Sequence, residues 1–162
     1  MNEVDYLRWV ARLRNAGMRH PRDRADLDDV LAHLARHVPE LESRTVKAAA
    51  KTEVFESGGQ CFVVLEGDRG TGGLIVAEYV YGDVWTAWHR HRGVEKYTTL
   101  DGRIVDRRAD GSVVRQHAGD PEVVHPPGSV HAPVIEGGWM GVFFQDLGSI
   151  LVDISKAPDL AP

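Results

Sequence analysis

Turn-forming residues break this sequence at short intervals from about Thr52 onward, and that punctuation limits the fold more than any other feature. The breaks are Gly58-Gly59, Asp68–Gly73, Gly82-Asp83, Asp101-Gly102, Asp110-Gly111, Gly119-Asp120, Pro126–Gly128 and Gly137-Gly138. Between them lie β-type runs: Cys61–Leu65, Leu74–Tyr81, Thr86–Thr99, Ile104–Arg107, Val113–Gln116, Glu122–His125, Met140–Gln145 and Ile150–Ile154. Short strands at this spacing build a sandwich or a small barrel, whereas a βαβ fold would need a helical pattern between strands. The two Asp-Gly pairs are the strongest hairpin signals in the chain.

The first 50 residues have a different texture. Tyr6, Trp9, Val10 and Leu13 fall on one helical face, and so do Leu27, Val30, Leu31, Leu34 and Val38. Asp23 or Asp26 is placed to cap the second helix, Pro39 to end it, and Gly17–Pro21 to separate the two. The expected organisation is a helical extension over residues 1–50 and a mainly β domain over residues 51–162. With 162 residues there is room for one core. Such short helices are marginal alone, so they should pack on the outside of the β domain or across a homodimer, which is the expected assembly.

A net charge of −5 argues against nucleic acid, whose binding needs a basic surface. No run approaches the roughly 20 apolar residues of a membrane helix. The acidic start Met1–Asp5 lacks the layout of a signal peptide, and Cys61 is the only cysteine. These features suggest a cytoplasmic protein with no membrane partner.

The segment His89-Arg90-His91-Arg92-Gly93-Val94-Glu95 carries the chemistry. Side chains alternate along a strand, so His89 and His91 share a face. Glu95 has the same parity, although a turn at Arg92-Gly93 would reset it. Two imidazoles and a carboxylate suit a borderline divalent ion such as Fe²⁺, Mn²⁺, Ni²⁺ or Zn²⁺. A fourth donor is then needed, and His131 follows the rigid turn Pro126–Val130. His20, His33, His37, His117 and His125 have no such company; His33 and His37 are four apart on a helix and read as a solvated face.

The pattern Gly82…His89-x-His91-x3-Glu95-x6-Gly102 resembles the first signature of the cupin superfamily, and Pro126-x-Gly128-x2-His131 resembles the second. The resemblance covers about residues 55–155. It implies a jelly-roll β-barrel with His89, His91, Glu95 and His131 as metal ligands. One extra residue lies between Gly82 and His89, and Ile135 stands where the family often has Asn; neither removes a ligand. The element Glu95-x-Tyr97 is similar to that of cupin lyases that cleave dimethylsulfoniopropionate. The run Phe143–Asp153 is similar to the closing strands of cupins that cleave carbon–carbon bonds with Fe²⁺ and O₂.

Four protein donors on an ion that prefers six leave room for water, O₂ or substrate. Trp85, Ala87, Tyr97, Pro133 and Ile135 share the parity of the ligands and should line the cavity. The late strand offers Phe143 and Gln145 on one face and Val142, Phe144 and Asp146 on the other; periodicity does not choose. The candidate pocket takes Trp85, Ile135, Phe143 and Gln145. The leading expectation is a non-haem Fe²⁺ dioxygenase acting on a small molecule. The alternatives are a redox-neutral lyase or isomerase, with Tyr97 as catalytic acid or base, and a non-catalytic binding module.

Overall fold

The computed structural model describes residues 3–39, 45–48, 58–67, 73–147 and 149–152. Two helices lead, α1 (Glu3–Asn15) and α2 (Arg24–His37). In α1 the stripe Tyr6, Trp9, Val10 and Leu13 is buried, and Glu3 and Asp5 in the first turn with Arg12 and Arg14 in the last complement the helix dipole. Asp23 is the cap of α2, its carboxylate accepting from the Asp26 backbone N–H at 2.8 Å. Asp26 has another task. It receives both Arg19 guanidinium nitrogens at 2.7 and 2.8 Å, which ties the interhelical link to the start of α2.

Ten strands follow: β1 (Thr45–Ala48), β2 (Gly59–Gly67), β3 (Leu74–Tyr81), β4 (Val84–Trp85), β5 (His89–His91), β6 (Glu95–Arg108), β7 (Val113–His117), β8 (Val123–His125), β9 (Val130–Gln145) and β10 (Ser149–Leu151). Every pairing is antiparallel. The path β1-β2-β3-β9-β5-β10 forms one sheet, and β9 also pairs with β4 and β6. Strand β6 in turn carries β7 and β8, so the sheet curls on itself around β6 and β9. Strand β1 lies within residues 1–50, and the expected boundary after residue 50 falls outside the described residues.

Alternation along β2, β3 and β9 makes two cores. Outward residues Cys61, Val63, Leu65, Ile75, Ala77, Tyr79, Met140 and Val142 join the apolar stripes of both helices. Inward residues Val80, Val84, Tyr97, Ile104, Ile135 and Trp139 form the second cluster. The helices therefore pack on the barrel of their own chain. The Tyr6 hydroxyl reaches Thr98 Oγ1 on β6 at 2.7 Å, so even the polar end of that aromatic is satisfied.

Of the two expected hairpins, Asp110-Gly111 makes one, joining β6 to β7 with Arg107 opposite Val113. Asp101-Gly102 does not. It lies inside β6, between register shifts at Thr99/Asp101 and Gly102/Ile104. Gly102 has φ +78°, and a Cβ there would come 2.5 Å from the Gly138 carbonyl oxygen, so only glycine lets β6 and β9 approach. Asp101 accepts from the His20 backbone N–H at 2.7 Å, anchoring the interhelical link to the bulge. The strand expected over Thr86–Thr99 is divided into β5 and the start of β6, and Met140–Gln145 is the second half of the longer β9. Among the described residues, no helix is long and apolar enough to cross a membrane.

Candidate metal centre

The turn before β9 brings the histidines together. The Gly128 N–H donates to the His91 carbonyl at 2.8 Å, and the His91 N–H donates to the Ser129 carbonyl at 3.0 Å. Gly128 has φ +86°, which glycine adopts without strain. This clasp fixes the register so that His131 lies directly across from His89. His89, His91 and His131 then offer ligand atoms that lie within 4.8 Å of one another. The bend at Arg92–Gly93 returns the chain so that Glu95 opens β6 facing them, its Oε2 lying 3.0 Å from His91 Nε2 and 3.4 Å from His131 Nε2.

The donors are prepared for a cation. His89 Nδ1 lies 3.0 Å from the Ala87 carbonyl and donates to it, which leaves the Nε2 lone pair available. Its pKa is pushed down to about 4, first by lost hydration and then by the neighbouring His131, so the ring is neutral, the form that coordinates. His131 Nδ1 donates to Asp106 Oδ1 at 2.7 Å, which turns its Nε2 lone pair inward. Gln145 Nε2 lies 3.2 Å from His91 Nδ1; reversing the side-chain amide would put its oxygen there to accept from Nδ1 and so free His91 Nε2. Glu95 Oε2 is enclosed without a well-formed hydrogen bond despite its nearby imidazoles. Burial works to raise the Glu95 pKa, but the imidazoles of His91, His131 and His125 lying against it outweigh that, so the carboxyl ends below its ordinary value. Facing imidazole nitrogens 2.7 Å apart, with an enclosed carboxylate oxygen beside them, suit a divalent ion, and the donors fall into two groups, His89 with His91 and His131, and Glu95 with His125 and His131.

Two residues at this centre were not among the expected ones. His125, read above as lacking company, is buried directly across from Glu95 and forms a second donor group with Glu95 and His131. Asp106 is fully buried between the two rings, Oδ1 at 2.7 Å from His131 Nδ1 and Oδ2 at 2.9 Å from His125 Nε2. Burial would raise the Asp106 pKa, yet His125 and His131 hold it well below the usual carboxylate range. The sequence carries one signal for His125, a β-type run ending beside Pro126. His33 and His37 instead turn to backbone carbonyls, those of Ala16 and His33, at 2.9 Å each.

Beside the donors opens a cavity of about 220 Å³. Tyr97, Pro133, Ile135, Phe143 and Gln145 line it, so the late strand presents its Phe143–Gln145 face. Gln60, Phe62, Glu78, Thr86, Ile104 and Trp139 complete its wall beside the donors. Tyr97 is buried, stacks on His125 with centroids 5.9 Å apart, and its hydroxyl has no hydrogen-bond partner among the described residues. Burial, then the charges of Asp106 and Glu95, raise its pKa well above the ordinary phenol value.

Trp85 is the correction. It lies away from this cavity, in an outer groove, with the Arg107 guanidinium 4.9 Å over its ring. The chain leaves strand geometry at residues 86–88, so Val84 and Thr86 face inward before the break while His89 and His91 do so after it. Parity counted back from His89 does not survive that interruption. For the same reason Ala87 is not part of the cavity wall.

No protein-family model and no curated protein matches this chain. Solved structures do match. A structure described as DMSP lyases RdDddP and RnDddQII is 17% identical and covers 89% of this chain and 77% of its own, with a TM-score of 0.56. DMSP lyase DddQ from Ruegeria pomeroyi is 18% identical, covers 79% of this chain and 68% of its own, and has a TM-score of 0.54. A cupin superfamily protein from Desulfitobacterium hafniense is 14% identical over 62% of this chain and 84% of its own, at a TM-score of 0.50. Identities this low speak to architecture rather than activity, and what they establish is that this chain has the cupin fold.

Proposed function

We propose that this chain is a divalent-metal-dependent cupin enzyme that carries out redox-neutral acid–base chemistry on a small molecule, with Tyr97 as the catalytic proton donor. The observation that supports this reading is the Tyr97 hydroxyl, enclosed beside the cavity and without a hydrogen-bond partner among the described residues. An unpartnered buried polar atom costs about 1–3 kcal/mol, and a substrate oxygen in the cavity would recover that. The phenol carries its proton at neutral pH, as phenols do, so Tyr97 has one to offer to negative charge developing on a substrate oxygen or a leaving group. Burial and the charges of Asp106 and Glu95 make it a weaker acid than a free phenol, so the donation needs a strongly basic acceptor. His89, His91, Glu95 and His131 would hold a divalent ion, which would supply Lewis acidity for polarising a substrate oxygen group. Phe143, Trp139 and Ile135 give the cavity an apolar wall that would disfavour water beside a bound substrate. The two DMSP lyase structures match more of the chain than the cupin from Desulfitobacterium does, and a lyase reaction agrees with this reading.

The dioxygenase expectation remains the second reading. It is favoured by the largely aromatic and aliphatic wall, which suits O₂ and an apolar substrate better than it suits a charged reaction. Oxygen separates the two. Protein purified without added metal is analysed for metal, then assayed on a panel of small carboxylates with β leaving groups and of aromatic diols, under air and under argon. The acid–base reading expects equal turnover in both atmospheres. It also expects Tyr97→Phe to lower turnover roughly 10²–10⁴-fold at unchanged metal content and melting temperature. Turnover that requires air, or that survives Tyr97→Phe, rejects it.

A further inference from the structure

The inward faces of β2 and β3 hold a feature that metal binding does not use. Cys61, Val63, Ala77 and Tyr79 face the helices, so the alternating Gln60, Phe62 and Glu78 face the cavity. A carboxyl here needs a reason, since an apolar side chain would fill the wall at lower cost. Among the described residues Glu78 forms no ion pair, and Gln60 is its hydrogen-bond partner, donating from Nε2 to Oε1 at 2.6 Å. That bond fixes the carboxyl plane and leaves the second oxygen free to take a ligand. Phe62 lies directly across from Glu78 in the β2–β3 register, with the Phe143 ring 6.2 Å from it, edge to face. One carboxyl and one amide offer too few donors for a metal ion. A carboxyl flanked by aromatic rings is the usual surrounding of an organic cation, which draws on charge, hydrogen bonding and ring faces together. Burial pushes the Glu78 pKa up to about 7, so an arriving cation would also favour the ionised carboxylate.

We infer that Glu78, held by Gln60, is a recognition site for a protonated amine, which makes the substrate class small molecules that carry an ammonium group as well as the oxygen group directed at His89, His91, Glu95 and His131. The substrate-class part rests on the function proposed above; the amine site itself does not. The test uses binding. Short α,ω-amino carboxylates and the matching alkanoates are titrated into the isolated protein by calorimetry, with wild type, Glu78→Gln and Glu78→Leu. We expect amino members to bind about tenfold tighter or better than their alkanoate partners in wild type. Both variants should lose that preference while keeping alkanoate affinity and metal content. A wild-type protein that binds the two series alike, or that binds neither, overturns the inference, as does a preference that persists in Glu78→Gln. Elemental analysis of the same samples reports on the metal reading separately, because the amine preference can hold where no metal is found. Glu78→Gln keeps the size of the side chain, so it remains informative if Glu78→Leu fails to fold.

Discussion

Asp106 shows how a single buried carboxylate can govern a site without facing the substrate. It holds the Nδ1 proton of His131, and so decides which nitrogen of that ring points at the other donors. The same carboxylate lies against His125, so one residue positions two of the three buried rings around Glu95. Asp106→Asn should weaken metal retention by roughly 10–100-fold, the usual cost of losing such a partner, without removing any ligand. Competition with a chelator measures it, and His117→Ala, an exposed ring whose one partner among the described residues is Asp120, is the control expected to change nothing. Retention equal to wild type in Asp106→Asn would show that His131 keeps its orientation by other means.

The elements explain which residues could be read from the sequence. Strand β9 keeps its alternation from His131 to Gln145, with Pro133, Ile135, Trp139 and Phe143 on the same inward side, despite the pair Gly137-Gly138. A counting argument from His131 therefore places Ile135 correctly. Strand β6 does not keep it. Leu100 is an extra residue in the register with β9, so Glu95 and Tyr97 face inward before it, and Ile104 and Asp106 do so after it. Counting from Glu95 would send Asp106 to the outside, which is why its role was hidden. The Asp-Gly pair that signalled a hairpin is the chemistry of that bulge, since both need a glycine at positive φ. Helix stripes were largely legible, because 3.6-residue periodicity is not interrupted in either helix; of the α2 stripe, Leu31 is only partly buried and Val38 lies at the cap beyond the helix. Their packing gives a prediction at this scale. Leu13 is fully buried between α1 and the outer sheet face, so Leu13→Ala should cost about 2–5 kcal/mol in denaturant unfolding. Metal content of the folded fraction should stay unchanged, because the donors lie on the opposite face of the sheet.

For the molecule as a whole, pH sets two opposing trends. Asp26 is held below the ordinary carboxylate range by Arg19 and Arg22, so its contribution is present above about pH 4 and is lost as pH falls. Glu78 runs the other way. Its pKa rises to about 7 in the folded state, mainly through lost hydration, opposed by the bond from Gln60 and supported by the charge of Glu95. The folded protein keeps that proton where the unfolded chain has released it, so stability falls as pH climbs from about 4.5 through 7. Glu78→Gln has no proton to lose. The stability difference between variant and wild type should be level below about pH 4.5 and grow in favour of the variant up to about pH 7, by on the order of 1–3 kcal/mol. A difference that stays constant across that window would mean that Glu78 is hydrated in the folded protein.

The long β9 also has a consequence for how such a chain can change over generations. One continuous strand supplies His131 at one end, Gln145 at the other and the cavity floor between them, while its even-numbered residues Met140, Val142 and Phe144 hold the helices. Gaining or losing one codon within it would exchange the two faces from that point on, sending cavity residues toward the helices and helix contacts into the cavity. Inheritance through this stretch can therefore proceed by replacement but hardly by insertion or deletion. Positions 133, 135 and 143 are then the places where a new substrate preference can be tried one letter at a time, with the donors left where they stand.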